Sequence, residues 1–293
     1  MQLSDNARGA VFMTVSMAAF TLNDTAMKAA TQTLPLFQAI ALRGVLAVLG
    51  LLALGVMLRG LSLQIPRRDI GVIALRSLAE VGGTVLFLAA LVHMPLANLS
   101  AILQALPLAV TLVAAVVFRE RIGWRRMVAI CIGFLGVLII IRPGPGGFDM
   151  WSVMGLGSVA CVVVRDLAAR SLSRAVPSIT VALCAGVSVT VMGFLGASVQ
   201  GWTPVSTYEA VLILSAAAML TFGYTLSVMV MRVGDIGFVA PFRYSSLIWA
   251  IFLGWAAFGA LPDGWTLLGA ALVVATGIFT LWRERKLRKT AVL

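Results

Sequence analysis

The chain has 293 residues, 61% apolar and only 11% charged, with a mean hydropathy of +1.04 and a net charge of +11. That composition excludes an ordinary soluble domain. The positive charge is gathered on one side of the apolar stretches rather than along a single surface, which argues against a nucleic-acid partner.

A membrane-spanning helix needs about 20 mostly apolar residues, because the hydrocarbon core is ~30 Å thick and each residue rises ~1.5 Å. The sequence predicts spans near 8–30, 35–58, 70–91, 95–118, 123–141, 149–171, 177–199, 208–231, 236–258 and 264–282. None alternates at period two, so the strands of a membrane barrel are not expected. The first stretch is longer than a signal-peptide core and has little positive charge before it, so it counts as a span.

Ionisable groups inside the bilayer are costly and usually face a cavity or a partner. In the first span Asp24 and Lys28 lie four residues apart, and Arg43 in the second span can reach Asp24. These three form either a gating cluster or direct substrate contacts. In the third span Arg76 and Glu80 share one helix face. Either they are an ion pair within the helix, or Glu80 takes a proton or an ammonium while Arg76 holds a carboxylate. His93 at the end of this span reads as a loop residue.

The fourth span carries Ala97, Ala101, Ala105 and Ala109 on one face, where backbones can approach closely. Pro107 then frees the carbonyl of Leu103, and Gln104 stands near mid-depth. The sixth span holds Arg165 and Asp166, a second gating pair. Thr221, Phe222 and Tyr224 in the eighth span, with Arg243, Tyr244, Ser245 and Trp249 in the ninth, offer aromatic and hydroxyl groups for an apolar pocket. Arg243 either snorkels to the headgroups or binds a carboxylate beside its aromatic neighbours. Trp124, Trp151, Trp202, Trp265 and Trp282 read as interfacial anchors. Cys131, Cys161 and Cys184 are an odd set inside spans and imply no disulfide framework.

The ten spans fall into two sets of five at a near-constant offset of 141 residues. Gly123-Trp124, Gly136 and Arg142 recur as Gly264-Trp265, Gly277 and Arg283. Five is odd, so the second set enters from the opposite side. The expected fold is therefore an all-α polytopic membrane protein of ten helices in two inverted repeats, residues 1–142 and 149–283, followed by a basic tail at 284–293. Two inverted halves around a midplane site is a layout of secondary transporters.

Of 22 Lys and Arg, 17 fall on one side: Arg8, Arg59, Arg67, Arg68, Arg119, Arg121, Arg125, Arg126, Arg165, Arg170, Arg174, Arg232, Arg283, Arg285, Lys286, Arg288 and Lys289. Only Lys28 and Arg142 fall on the other. This asymmetry places both termini in the cytoplasm.

The Ala-rich helix, Pro107-Leu108, Phe118-Arg119-Glu120-Arg121 and the Gly-spaced helix after them resemble the EamA-type repeat of the drug/metabolite transporter superfamily. Leu22-Asn23-Asp24, Lys28, Pro35, Gln38 and Arg43 resemble the opening of such proteins. The second copy departs from the pattern, because Leu261 stands where Glu120 has its counterpart, with Asp263 close by. The resemblance implies a multi-pass carrier in a bacterial inner membrane, its partners being a small-molecule substrate and the lipid bilayer. It points to an exporter of aromatic or neutral amino acids, with an importer of a vitamin- or nucleoside-like compound as the alternative.

From another class, a membrane enzyme would need clustered Asp for Mg²⁺, and zinc chemistry needs several His or Cys ligands. Neither pattern is present, so no metal, cofactor or catalytic residue is expected. No Walker-type loop supports ATP-driven pumping. A channel would usually bring a charged ring or a repeated carbonyl loop.

Overall fold

A computed structural model describes residues 5–57, 61, 65–119, 123–142, 149–173, 176–233 and 236–290, with side chains except at 228, 231–233, 236–237 and 284–290. Arg59, Glu120, Arg121 and Arg174 therefore lie outside the described residues. So do the side chains of Arg232 and of the basic tail.

Every regular element among the described residues is helical. In chain order they are α1 (Asp5–Ala30), α2 (Leu36–Met57), α3 (Arg67–His93), α4 (Leu96–Leu103), α5 (Leu106–Val117), α6 (Trp124–Ile141), α7 (Met150–Ser171), α8 (Ser178–Gln200), α9 (Thr207–Val233), α10 (Ile236–Val239), a 3-10 turn (Ala240–Tyr244), α11 (Ser245–Phe258) and α12 (Gly264–Thr290). Taking α4 and α5 together, eight of these segments are long and apolar enough to cross a membrane. The other two expected spans fall short for visible reasons. α1 has 26 residues but carries Asp5, Arg8, Asp24 and Lys28. The stretch from α10 to α11 is divided by its 3-10 turn.

The break between α4 and α5 falls at Gln104–Ala105, one turn before Pro107. A proline ring clashes with the carbonyl four residues back, here that of Leu103, and cannot donate to it. The alanine face survives the break: Ala97, Ala101, Ala105 and Ala109 are all buried. Pro241 sits in the 3-10 turn in the same way, and α11 ends at Gly259, whose φ of 65° suits a glycine.

The principal packing partners are antiparallel pairs drawn from opposite halves of the chain: α1 with α9, α3 with α7, α2 with α8, and α6 with α12. Small residues permit each approach, since no hydrophobic force drives helices together in lipid. Gly136 and Gly269 each lie against the carbonyl of the other. A Cβ on Gly193 would run into the backbone of Ala41. Gly223 of α9 receives the ring of Phe20, and Gly82 of α3 receives Cys161; both members of the second pair lie 141 residues from members of the first.

Candidate functional site

Two ends of the bundle are defined by their contacts, and the α1–α2 connection is taken as the top. Between the ends, four helices direct charged side chains to one place, and α9 adds Tyr224. Arg165 of α7 donates through Nη1 to Glu80 Oε1 of α3 at 3.2 Å. Arg76 approaches the other Glu80 oxygen at 3.6 Å and donates to the carbonyl of Val181 on α8 at 3.3 Å. Arg165 also donates through Nε to Asp166 at 2.9 Å. Glu80 thus faces two guanidinium groups, one at each carboxylate oxygen.

On the α1 side of the same region, Arg43 Nη1 donates to Asn23 Oδ1 at 3.3 Å, and Asn23 Nδ2 donates to Asp24 Oδ1 at 2.9 Å. Arg43 lies within electrostatic reach of Asp24, Tyr224 and Glu80. Tyr224 of α9 lies within electrostatic reach of Glu80, Arg165, Arg76 and Arg43, and its ring meets Phe20 edge-on at 5.4 Å. The cluster holds three guanidinium groups and three carboxylates, a balance that limits the cost of placing charge at depth.

Residues expected separately as cavity and gating groups are neighbours here. Glu80, Arg76 and Tyr224 share one site with Asp24, Arg43, Arg165 and Asp166. The pairing of Lys28 with Asp24 is corrected: Lys28 Nζ turns to the carbonyls of Leu91 and Met94 at the end of α3. Those carbonyls lack intrahelical donors, and the helix terminus attracts a cation. The ring of Phe258 lies 5.6 Å from the same ammonium.

Other candidates stand apart from the cluster. Gln104 donates to Ser246 Oγ at 2.7 Å and so joins the two broken segments. Thr221 bonds its own helix at Ala217 O and packs against Gly50. Tyr244 is buried, with its hydroxyl over Gly277 of α12, whereas Arg243 is exposed. Trp249 is half-buried on α11. His93 stacks on Trp151 at 3.5 Å. Among the described residues no group of three or more His, Cys, Asp or Glu could hold a metal ion.

Sequence reasoning missed the ties at the two ends. At the top, Glu209 in the first turn of α9 accepts from the hydroxyl of Thr33 and from Ser206 N at 2.7 Å, while Ser206 Oγ accepts from Glu209 N. Gln38 adds a two-way bridge to the backbone of Thr203, at 2.8 and 3.0 Å. At the bottom, Asp69 in the first turn of α3 accepts from Ser173 N at 3.2 Å and Ser173 Oγ at 2.6 Å. Asp69 and Glu209 are only 3% and 7% exposed. Arg142 bonds Asp263 at the top, and this bond, with a second from Thr266 N, holds the Asp263 carboxyl well below the usual carboxylate range. Ser206 followed by Glu209 is a capping-box signature that was available in the sequence.

Residues 7–142 match the EamA-like transporter family. A riboflavin transporter of Vibrio cholerae is 29% identical over 217 residues, covering 73% of each chain. A pseudopaline exporter of Pseudomonas aeruginosa is 23% identical and covers 95% of this chain and 97% of its own. A crystal structure at 20% identity superposes with a TM-score of 0.63 over 94% of this chain and 98% of that one, a likeness of fold.

Proposed function

Since this chain belongs to the EamA-type branch of the drug/metabolite transporter superfamily, we propose that it carries a small polar organic metabolite across a bacterial inner membrane by alternating access. On this reading the chain crosses ten times, as two inverted units at 1–142 and 149–283. Both termini lie in the cytoplasm, with the top end outside.

The observation that carries the reading is the shared charge cluster. Its members come from α1, α2 and α3 of the first unit and α7 and α9 of the second. A rocking motion of one unit against the other would make and break these pairs, as alternating access requires. The matched ends support it too. Asp69 with Ser173 and Glu209 with Thr33 are carboxylate–hydroxyl ties at equivalent places in the two units, one at each end. Those ties are related by 140 residues, and the Phe20–Gly223 and Cys161–Gly82 contacts by 141.

The cluster offers a cation and an anion side by side, which suits a zwitterion such as an aromatic or neutral amino acid moving outward. The alternative, a vitamin-like compound, is favoured by the Vibrio relative's name. Counterflow into proteoliposomes with radiolabelled amino acids, vitamins and nucleosides tests the proposal. Saturable exchange of one class supports a carrier; flux that never saturates, or chemical conversion without flux, rejects it.

A further inference from the structure

Resting on the carrier reading, we infer that Arg43 is a binding site for the substrate's carboxylate, and that Asp24 balances its charge without filling it. The three guanidinium groups of the cluster are not equivalent. Arg165 is engaged by Glu80 and Asp166, and Arg76 by Glu80 and the Val181 carbonyl. Arg43 is 8% exposed and carries five N–H donors, yet among the described residues its one hydrogen bond goes to the amide of Asn23, a neutral acceptor, at 3.3 Å. Its Nε is buried with no partner.

A buried guanidinium with spare donors is costly to leave as it stands. Asp24 would be the natural occupant, but no direct ion pair joins it to Arg43 among the described residues. Asn23 stands between them, taking one Arg43 proton on its oxygen and tying the Asp24 carboxylate with its NH₂. The anion therefore lowers the potential around Arg43 while the fork of donors stays open. A carboxylate can close that fork with two parallel charge-assisted bonds, which an amide or ester of the same compound cannot match. The edge-on Phe20–Tyr224 pair belongs to the same region, since Tyr224 lies within electrostatic reach of Arg43.

This arrangement sets opposite expectations for two neighbours. Removing the guanidinium should abolish preference for acids. Removing the Asp24 charge should increase it, because an internal anion no longer repels the incoming one. A purely structural role for the pair predicts damage from both changes and a preference shift from neither.

The test is binding and counterflow by the full-length protein with matched probes: phenylacetate, phenylalanine, phenylalaninamide and phenylalanine methyl ester. Wild type should favour the two acids by about tenfold or more. Arg43→Gln should bind acid and amide alike, and Asp24→Asn should tighten acid binding several-fold. Should Arg43→Gln not fold, Arg43→Lys keeps the charge, loses the fork and should keep only part of the selectivity. Equal binding of acid and amide by wild type overturns the site, as does failure of every acid to bind or undiminished selectivity in both Arg43 variants. Saturable flux blind to the carboxylate would remove the site and leave the carrier. Acid-selective binding with no flux would leave the site and remove the carrier.

Discussion

The top and bottom ends of the bundle use one device with unequal reinforcement. Each has a buried carboxylate in the first turn of a long helix, accepting from a hydroxyl just past the end of that helix's packing partner. At the top the tie is embedded in a capping box and backed by the Gln38–Thr203 bridge. The bottom rests on Asp69 and Ser173, with Arg68 near Asp69 at 3.9 Å but itself 75% exposed. Two ends built on the same device need not be equally strong. The bottom should be the easier end to open.

The largest disturbance should come from the top, through close packing rather than the tie. Gly193→Leu would drive a side chain into the Ala41 backbone, and overpacking of this kind costs about 1–3 kcal/mol. The melting temperature in detergent should fall by about 5 °C; an unchanged melt would mean that α2 and α8 have room to part.

Asp69→Asn comes next. A cysteine replacing buried Val176 at the bottom should then react with maleimide on the order of tenfold faster. Glu209→Gln should have a smaller effect on a cysteine replacing buried Leu34 at the top, because the Gln38 bridge persists. If both ends respond equally, the asymmetry is wrong. Adding Gln38→Leu to Glu209→Gln should bring the top up to the bottom's response.

Arg142→Ala should do least, since both partners of the Arg142–Asp263 pair are about half exposed and such pairs contribute little. Asp263 is held below its unfolded value near ~3.9. Its contribution is therefore present above that value and lost as pH falls through the depressed one. The small difference in melting temperature from wild type should stay constant from neutral pH to about pH 4 and vanish only in stronger acid.

Much of this layout was legible from residue order. The helix ends, the alanine face and the break just before Pro107 follow from hydropathy, small-residue spacing and proline chemistry. The Arg76–Glu80 pair follows from helical spacing alone. That Arg165 completes it could not be read, because spacing within one helix is silent about its neighbours. Lys28 was misassigned because the free carbonyls at the end of α3 compete with Asp24 and belong to another helix. For Arg243 and Tyr244 a regular helix through Pro241 was the wrong ruler. A 3-10 turn advances 3.0 residues per turn rather than 3.6 and turns each side chain to a different face.

The pairing of helices across the chain also bears on biosynthesis. α1, α2, α3 and α6 each take their principal partner from the segment beyond residue 149. A nascent chain that has emerged only as far as α6 has inserted its helices but lacks the surfaces they settle against. Consolidation must wait for the remainder, so the early portion dwells in lipid with Arg43, Arg76 and Glu80 awaiting their later-made neighbours. Two fragments severed between residues 142 and 149 should each be short-lived when expressed alone and should protect one another when made together.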